Sequence, residues 1–266
     1  MSTEATPVDY MDYSDETHKP VRIGGGSFAT VYAWRGGPLA FKVAAARGHC
    51  TSIHQEFVML RMLYAHSTSD SWVSALFRLP KPYGFYDPGT NTIILNDGHL
   101  QSRIGSSPGH RTAIANPLQG ITKYTAAYAM DRIHVLPFEV GSAIKERFYP
   151  SSAKPDAPPP SLCRLYFGTS LEEKKRTSRF FSTDHFAIDP SQYAELRATF
   201  PMLESAENVA RGMGDMLARI HWQTGFDARD VEFGMAGDGI QEIMYYVVDF
   251  NQASSAAHAR TSAHLR

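Results

Sequence analysis

A glycine-rich stretch, a lysine and a glutamate, in that order, are the first residues of this sequence that could do chemistry. Gly24, Gly26, Ala29 and Val31 stand in the pattern G-x-G-x-x-A-x-V, Lys42 follows in Ala-Phe-Lys, and Glu56 comes later among apolar residues. Small residues let backbone amides approach a phosphate, a lysine neutralises it, and a carboxylate fixes the lysine's rotamer. The glycine pattern by itself fits two sites, a dinucleotide fingerprint and a phosphate-covering lid. A dinucleotide site needs a helix amino terminus directed at the pyrophosphate. Here the loop runs into Thr30-Val31-Tyr32-Ala33-Trp34, whose β-branched and aromatic residues predict a strand. The reading that follows is a strand-turn-strand lid, with Gly24, Gly26, Ala29, Val31, Lys42 and Glu56 as candidate nucleotide-binding residues.

A second set of candidates lies near the other end of the chain. Gly225-Phe226-Asp227 leads to Val231-Glu232-Phe233, and Val247-Val248-Asp249-Phe250-Asn251 follows. With the lid, the lysine and the glutamate, this order resembles the protein-kinase pattern, in which H-R-D-x-x-x-x-N and D-F-G supply a catalytic base and the magnesium ligands. On that resemblance Asp227 is the candidate catalytic residue, while Glu232 and Asp249 are the candidate metal ligands. Asp227 lies five residues before Glu232, the spacing between the kinase aspartate and asparagine. The His-Arg pair is replaced by Gly225-Phe226, and a glutamate stands where asparagine is expected. A second register, Ala228-Arg229-Asp230, keeps the arginine but puts Met235 at the asparagine position, and a thioether is a poor magnesium ligand.

The sequence also resembles a fungal kinase-like family of unknown function whose members are often labelled zinc finger proteins. Ile220-His221-Trp222, Phe226 to Phe233, Val248-Asp249-Phe250 and Cys163-Arg164-Leu165-Tyr166-Phe167-Gly168 carry that resemblance. It implies an α+β, protein-kinase-like fold with an antiparallel N-lobe sheet, one long helix and a helical C-lobe. Only Asn251 to Arg266 follow the D-F-G-like segment, so that lobe is expected to be truncated. The implied cofactor is Mg-ATP, with phosphotransfer weak or absent. A noncatalytic module that binds a protein partner and a small-molecule phosphotransferase are the alternatives. Cys50 and Cys163 are too few and too far apart for a zinc-finger spacing, and His49, Cys50 and His54 lack a second local cysteine.

Composition narrows the partners. Of 266 residues, 43% are hydrophobic and 20% charged, enough to build a substantial core. The formal net charge of -1 gives no basic footprint, so nucleic acid is not an expected partner. The acidic amino terminus lacks the order of a signal peptide, and no apolar run reaches membrane-spanning length. An intracellular protein, cytoplasmic or nuclear and without a membrane, is expected.

The elements that must position these residues follow from pattern. Residues 1–19 read as a disordered lead-in, 20–136 as an N-lobe-like nucleotide-binding part, 137–250 as a partial C-lobe and 251–266 as a tail. Val21 to Val43 predicts three antiparallel strands. Ile53, Phe57, Leu60 and Tyr64 repeat at helical spacing over 52–65, with Glu56 flanking that face. Short strands are expected at 82–86, 92–95, 124–135 and 243–250, and a loop at 96–120. The proline-rich 150–161 reads as a linker or exposed insertion, and 172–179 as a solvated charge run. Ser205 is a helix cap ahead of an apolar stripe of Val209, Met213, Met216, Leu217 and Ile220.

Overall fold

The computed structural model describes residues 20–67, 75–96, 100–101, 124–171, 182–228 and 231–250. Among them the fold is α+β, with two sheets and four α-helices. The lead-in, the tail, most of the 96–120 loop and the 172–179 charge run lie outside the described residues.

The first sheet is antiparallel throughout, in the order β1-β2-β3-β8-β5-β6-β7. Its strands are β1 (Pro20–Gly25), β2 (Ala29–Trp34), β3 (Leu39–Ala44), β5 (Pro82–Asp87), β6 (Thr92–Leu95), β7 (Leu100–Gln101) and β8 (Ala127–Asp131). The three-strand start is present as the alternation demands. Lys42 and Ala40 face one side of β3, while Phe41 and Val43 face the other and form a small cluster with Tyr86 and Ala127. β8 is shorter than the expected 124–135 at both ends; at its far end the Asp131 carboxylate accepts the Lys81 N–H and the Tyr83 hydroxyl.

Helix α1 (Cys50–Ser67) backs this sheet. Ile53, Phe57 and Leu60 are buried as their spacing requires, and Tyr64 is half-buried. Glu56, rather than merely flanking the face, is buried at 1% exposure.

The part beyond residue 137 is not simply helical. Helices α2 (Phe138–Phe148), α3 (Pro190–Thr199) and α4 (Ala206–Thr224) accompany a second, mixed sheet in the order β10-β9-β11-β12-β4. Its strands are β4 (Phe77–Arg78), β9 (Leu162–Leu165), β10 (His185–Ile188), β11 (Glu232–Gly237) and β12 (Ile243–Val248). β9 with β10 and β12 with β4 run parallel, and β11 runs antiparallel to both β9 and β12. Strand β4 follows α1 in sequence yet pairs in this second sheet.

Local signals account for the helices. Ser205 accepts the Asn208 N–H at the start of α4, and Gly225, at φ 70°, closes its far end. Val209, Met216 and Ile220 of the expected stripe are buried and Leu217 is exposed. Asp189 and Gln192 form a reciprocal capping box with Pro190 at the first helical position of α3. The proline-rich 150–161 segment is only partly exposed and is held against α2: Lys145 Nζ donates to the Pro155 carbonyl and the Tyr149 hydroxyl to that of Pro158.

One apolar core joins the two sheets, running from Ala29 and Phe57 through Leu136 and Tyr193 to Val247 and Phe250.

Candidate functional site

A cleft of about 950 Å³ lies between the sheets. Its lid is the β1–β2 hairpin, closed by the Gly26 N–H donating to the Ala29 carbonyl at 2.9 Å. A Cβ at Gly26 would meet nothing within 4 Å, so space is open beside that one residue of the turn. The Ala45 N–H donates to the Phe28 carbonyl and pins the lid's turn to the end of β3. Gly24, Gly26, Ala29 and Val31 all line the cleft.

Register puts the lysine beneath this lid. Val31 pairs with Lys42, and Lys42 with Tyr128, so the three stand side by side on the cleft face of the sheet. Lys42 Nζ lies 2.6 Å from Glu56 Oε1 and 3.1 Å from Asp249 Oδ1. The expected lysine–glutamate ion pair is therefore formed, and Asp249 joins it from the opposite sheet. Glu56 Oε1 also accepts the Phe250 N–H at 3.3 Å, while Oε2 is buried without a hydrogen-bond partner.

Electrostatics follow from this packing. Burial alone would favour the neutral amine, but the carboxylates of Glu56 and Asp249 together outweigh it and hold the Lys42 pKa above its ordinary value. Burial pushes the Tyr128 phenol well up, and the same two carboxylates add to the shift. Burial lowers the His185 pKa, helped by the Arg164 guanidinium.

The three acidic candidates are distributed differently from the sequence-based expectation. Asp249 follows β12 and faces Lys42. Glu232 opens β11 and lines the cleft, but its carboxylate is 2.8 Å from Arg164 Nη2. Asp227, half-buried, is not among the described residues that line the cleft. The left-handed Gly225 at the end of α4 turns the chain there, and Phe226 and Ala228 pack against the core on either side of Asp227. Among the described residues, no group of three or more His, Cys, Asp or Glu side chains is placed to hold a metal ion. A shared cation site of Asp227, Glu232 and Asp249 is not formed. Cys50 Sγ instead accepts the Ala126 N–H, and His54 packs on Phe85.

Arg164 and Tyr128 are cleft residues not anticipated as site residues. The Cys163-Arg164-Leu165-Tyr166 segment stands out in the sequence only through a family resemblance. Nothing near Arg164 in sequence identifies Glu232 as its partner, because strand register makes that match.

No family model, curated protein or solved structure matches the chain. No helix among the described residues is long and apolar enough to cross a membrane.

Proposed function

We propose that the cleft binds a nucleoside triphosphate on a protein-kinase-like fold, with Lys42 against the phosphates and phosphotransfer slow or absent. The observation that carries this reading is the lysine itself, held between Glu56 at 2.6 Å and Asp249 at 3.1 Å beneath a lid of small residues. Two carboxylates keep its charge in place, and an ammonium group has a third donor for a phosphate oxygen. Val31, Ala40 and Met130 supply an apolar roof, and Leu162 with Val248 an apolar floor, which suits a planar base.

Glycine lid, lysine strand, glutamate helix and a late aspartate occur in the kinase order. Weak or absent transfer is supported by Asp227, which does not line the cleft and so is not placed to take a proton from an acceptor hydroxyl there. The same observation favours a noncatalytic role as an interaction module for a protein partner over small-molecule phosphotransfer. Magnesium fits poorly at Glu232, whose carboxylate Arg164 holds at 2.8 Å, while Asp249 shares Lys42 with Glu56.

The test is thermal unfolding with ATP. A ligand that binds only the folded state at about 100 times its Kd adds about 2.7 kcal/mol of stability, a readily measured rise in Tm. Lys42→Met is expected to abolish that rise while circular dichroism stays native-like. No ATP-dependent rise in the unaltered protein, with or without magnesium, would remove the reading.

A further inference from the structure

Strand alternation sorts the second sheet into a core face and a cleft face. On β9, Cys163 and Leu165 are buried in the core, which directs Leu162 and Arg164 to the other side. Phe186 and Ile188 do the same on β10 and leave His185 towards the cleft. Met235 does so on β11, leaving Glu232 and Gly234 on the cleft face. Arg164 lies opposite Gly234 in register. A Cβ at Gly234 would stand 2.8 Å from Leu162 Cδ1, so the glycine gives the β9 side chains room to lie across it. Arg164 Nη2 reaches Glu232 at 2.8 Å, and Arg164 Nε is buried with no hydrogen-bond partner.

Of the two candidate metal ligands, Glu232 is thus paired with Arg164, while Asp249 shares Lys42 with Glu56. A divalent ion seated on Glu232 would have to displace a charge-assisted hydrogen bond and then sit beside a guanidinium, which repels it. The guanidinium already supplies what such an ion would give a phosphate chain: a fixed, permanent positive charge with several planar donors.

We propose that the cleft binds the triphosphate without a metal ion, between Lys42 on one wall and Arg164 on the other, with Arg164 in the place of the cation. This rests on the nucleotide reading above but fails separately from it.

Titration calorimetry of the full chain with ATP, once in magnesium chloride and once in EDTA, distinguishes the two failures. The expected result is binding in both buffers, with Kd equal within about threefold. Binding in magnesium alone would overturn this inference and leave the nucleotide reading standing, and no binding in either buffer would overturn both. Arg164→Gln removes the guanidinium and frees the Glu232 carboxylate. It should lose at least about tenfold in affinity in EDTA and recover part of that with magnesium. If that variant fails to fold, Glu232→Gln serves instead. Its expected effect is tighter binding in EDTA, because a negative charge beside the phosphates is gone. Weaker binding in EDTA would overturn the proposal.

Discussion

Asp249 is bound to its place by backbone as well as by charge. Its φ of 66° is left-handed, a conformation that L-residues with a Cβ adopt at a cost and that aspartate and asparagine tolerate best. The turn allows two contacts at once: the carboxylate meets Lys42, and the next N–H, that of Phe250, donates to Glu56. Asp249→Asn keeps the local backbone preference and an acceptor for Lys42, so its stability is expected within about 1 kcal/mol of the parent. Asp249→Ala loses both and is expected to be less stable than the asparagine variant by about 1–2 kcal/mol. Urea unfolding of the pair measures the difference, and equal midpoints would mean the left-handed turn carries no strain. At this scale the lysine–glutamate pair was legible because each residue sits in a local pattern, a strand for Lys42 and a helix face for Glu56. The Arg164–Glu232 pair was not, since the motif spacing that marks Glu232 says nothing of Arg164 and only the β9–β11 register brings them together.

Elements divide along the same line. The lid strands and α1 were readable from β-branched runs and helical spacing. Strand β11, Glu-Phe-Gly-Met-Ala-Gly, contains no β-branched residue and has two glycines, so its propensity argues against the strand that tertiary pairing imposes. Helix α3 is marked in the sequence by its start signal, Asp189-Pro190-x-Gln192. The glycines of β11 have a packing reason. Gly237 pairs with His134 in the connection between β8 and α2, and its N–H donates to the His134 carbonyl at 3.0 Å. A methyl group at Gly237 would overlap the Val135 carbonyl oxygen, which is backbone and cannot rotate away. Gly237→Ala is therefore expected to cost at least about 2 kcal/mol. Gly26→Ala, where a Cβ meets nothing within 4 Å, is expected to change stability by less than about 0.5 kcal/mol. Chemical denaturation of both variants checks the contrast, and a neutral Gly237→Ala would show that the connection yields easily.

At the scale of the whole molecule, the two sheets share one core and are also stitched across the cleft. Buried residues run continuously from Ala29 to Phe250, β4 leaves α1 to join the second sheet, and Lys42 and Glu56 bind Asp249 and the Phe250 N–H. Contacts of this kind make independent unfolding of either sheet expensive, so far-UV and near-UV circular dichroism are expected to report one coincident transition. Its pH dependence follows from the groups at these joints. Lys42 is held above its ordinary pKa by the two carboxylates, which outweigh its burial. Burial raises the Tyr128 phenol, and burial with the neighbouring Tyr245 raises that of Tyr193. In each case the folded chain keeps a proton that the unfolded chain releases near its ordinary value, about 10 for tyrosine and about 10.4 for lysine. The folded state thus binds more protons above that range, so the stabilisation is complete below about pH 10 and falls as pH climbs through the folded values. Urea midpoints at rising alkaline pH should decline together for both spectroscopic probes. Lys42→Met should flatten the decline in part, because the two tyrosines still contribute. A near-UV signal lost well before the far-UV one would show instead that the cleft contacts open first, and that the sheets are held together by their apolar core alone.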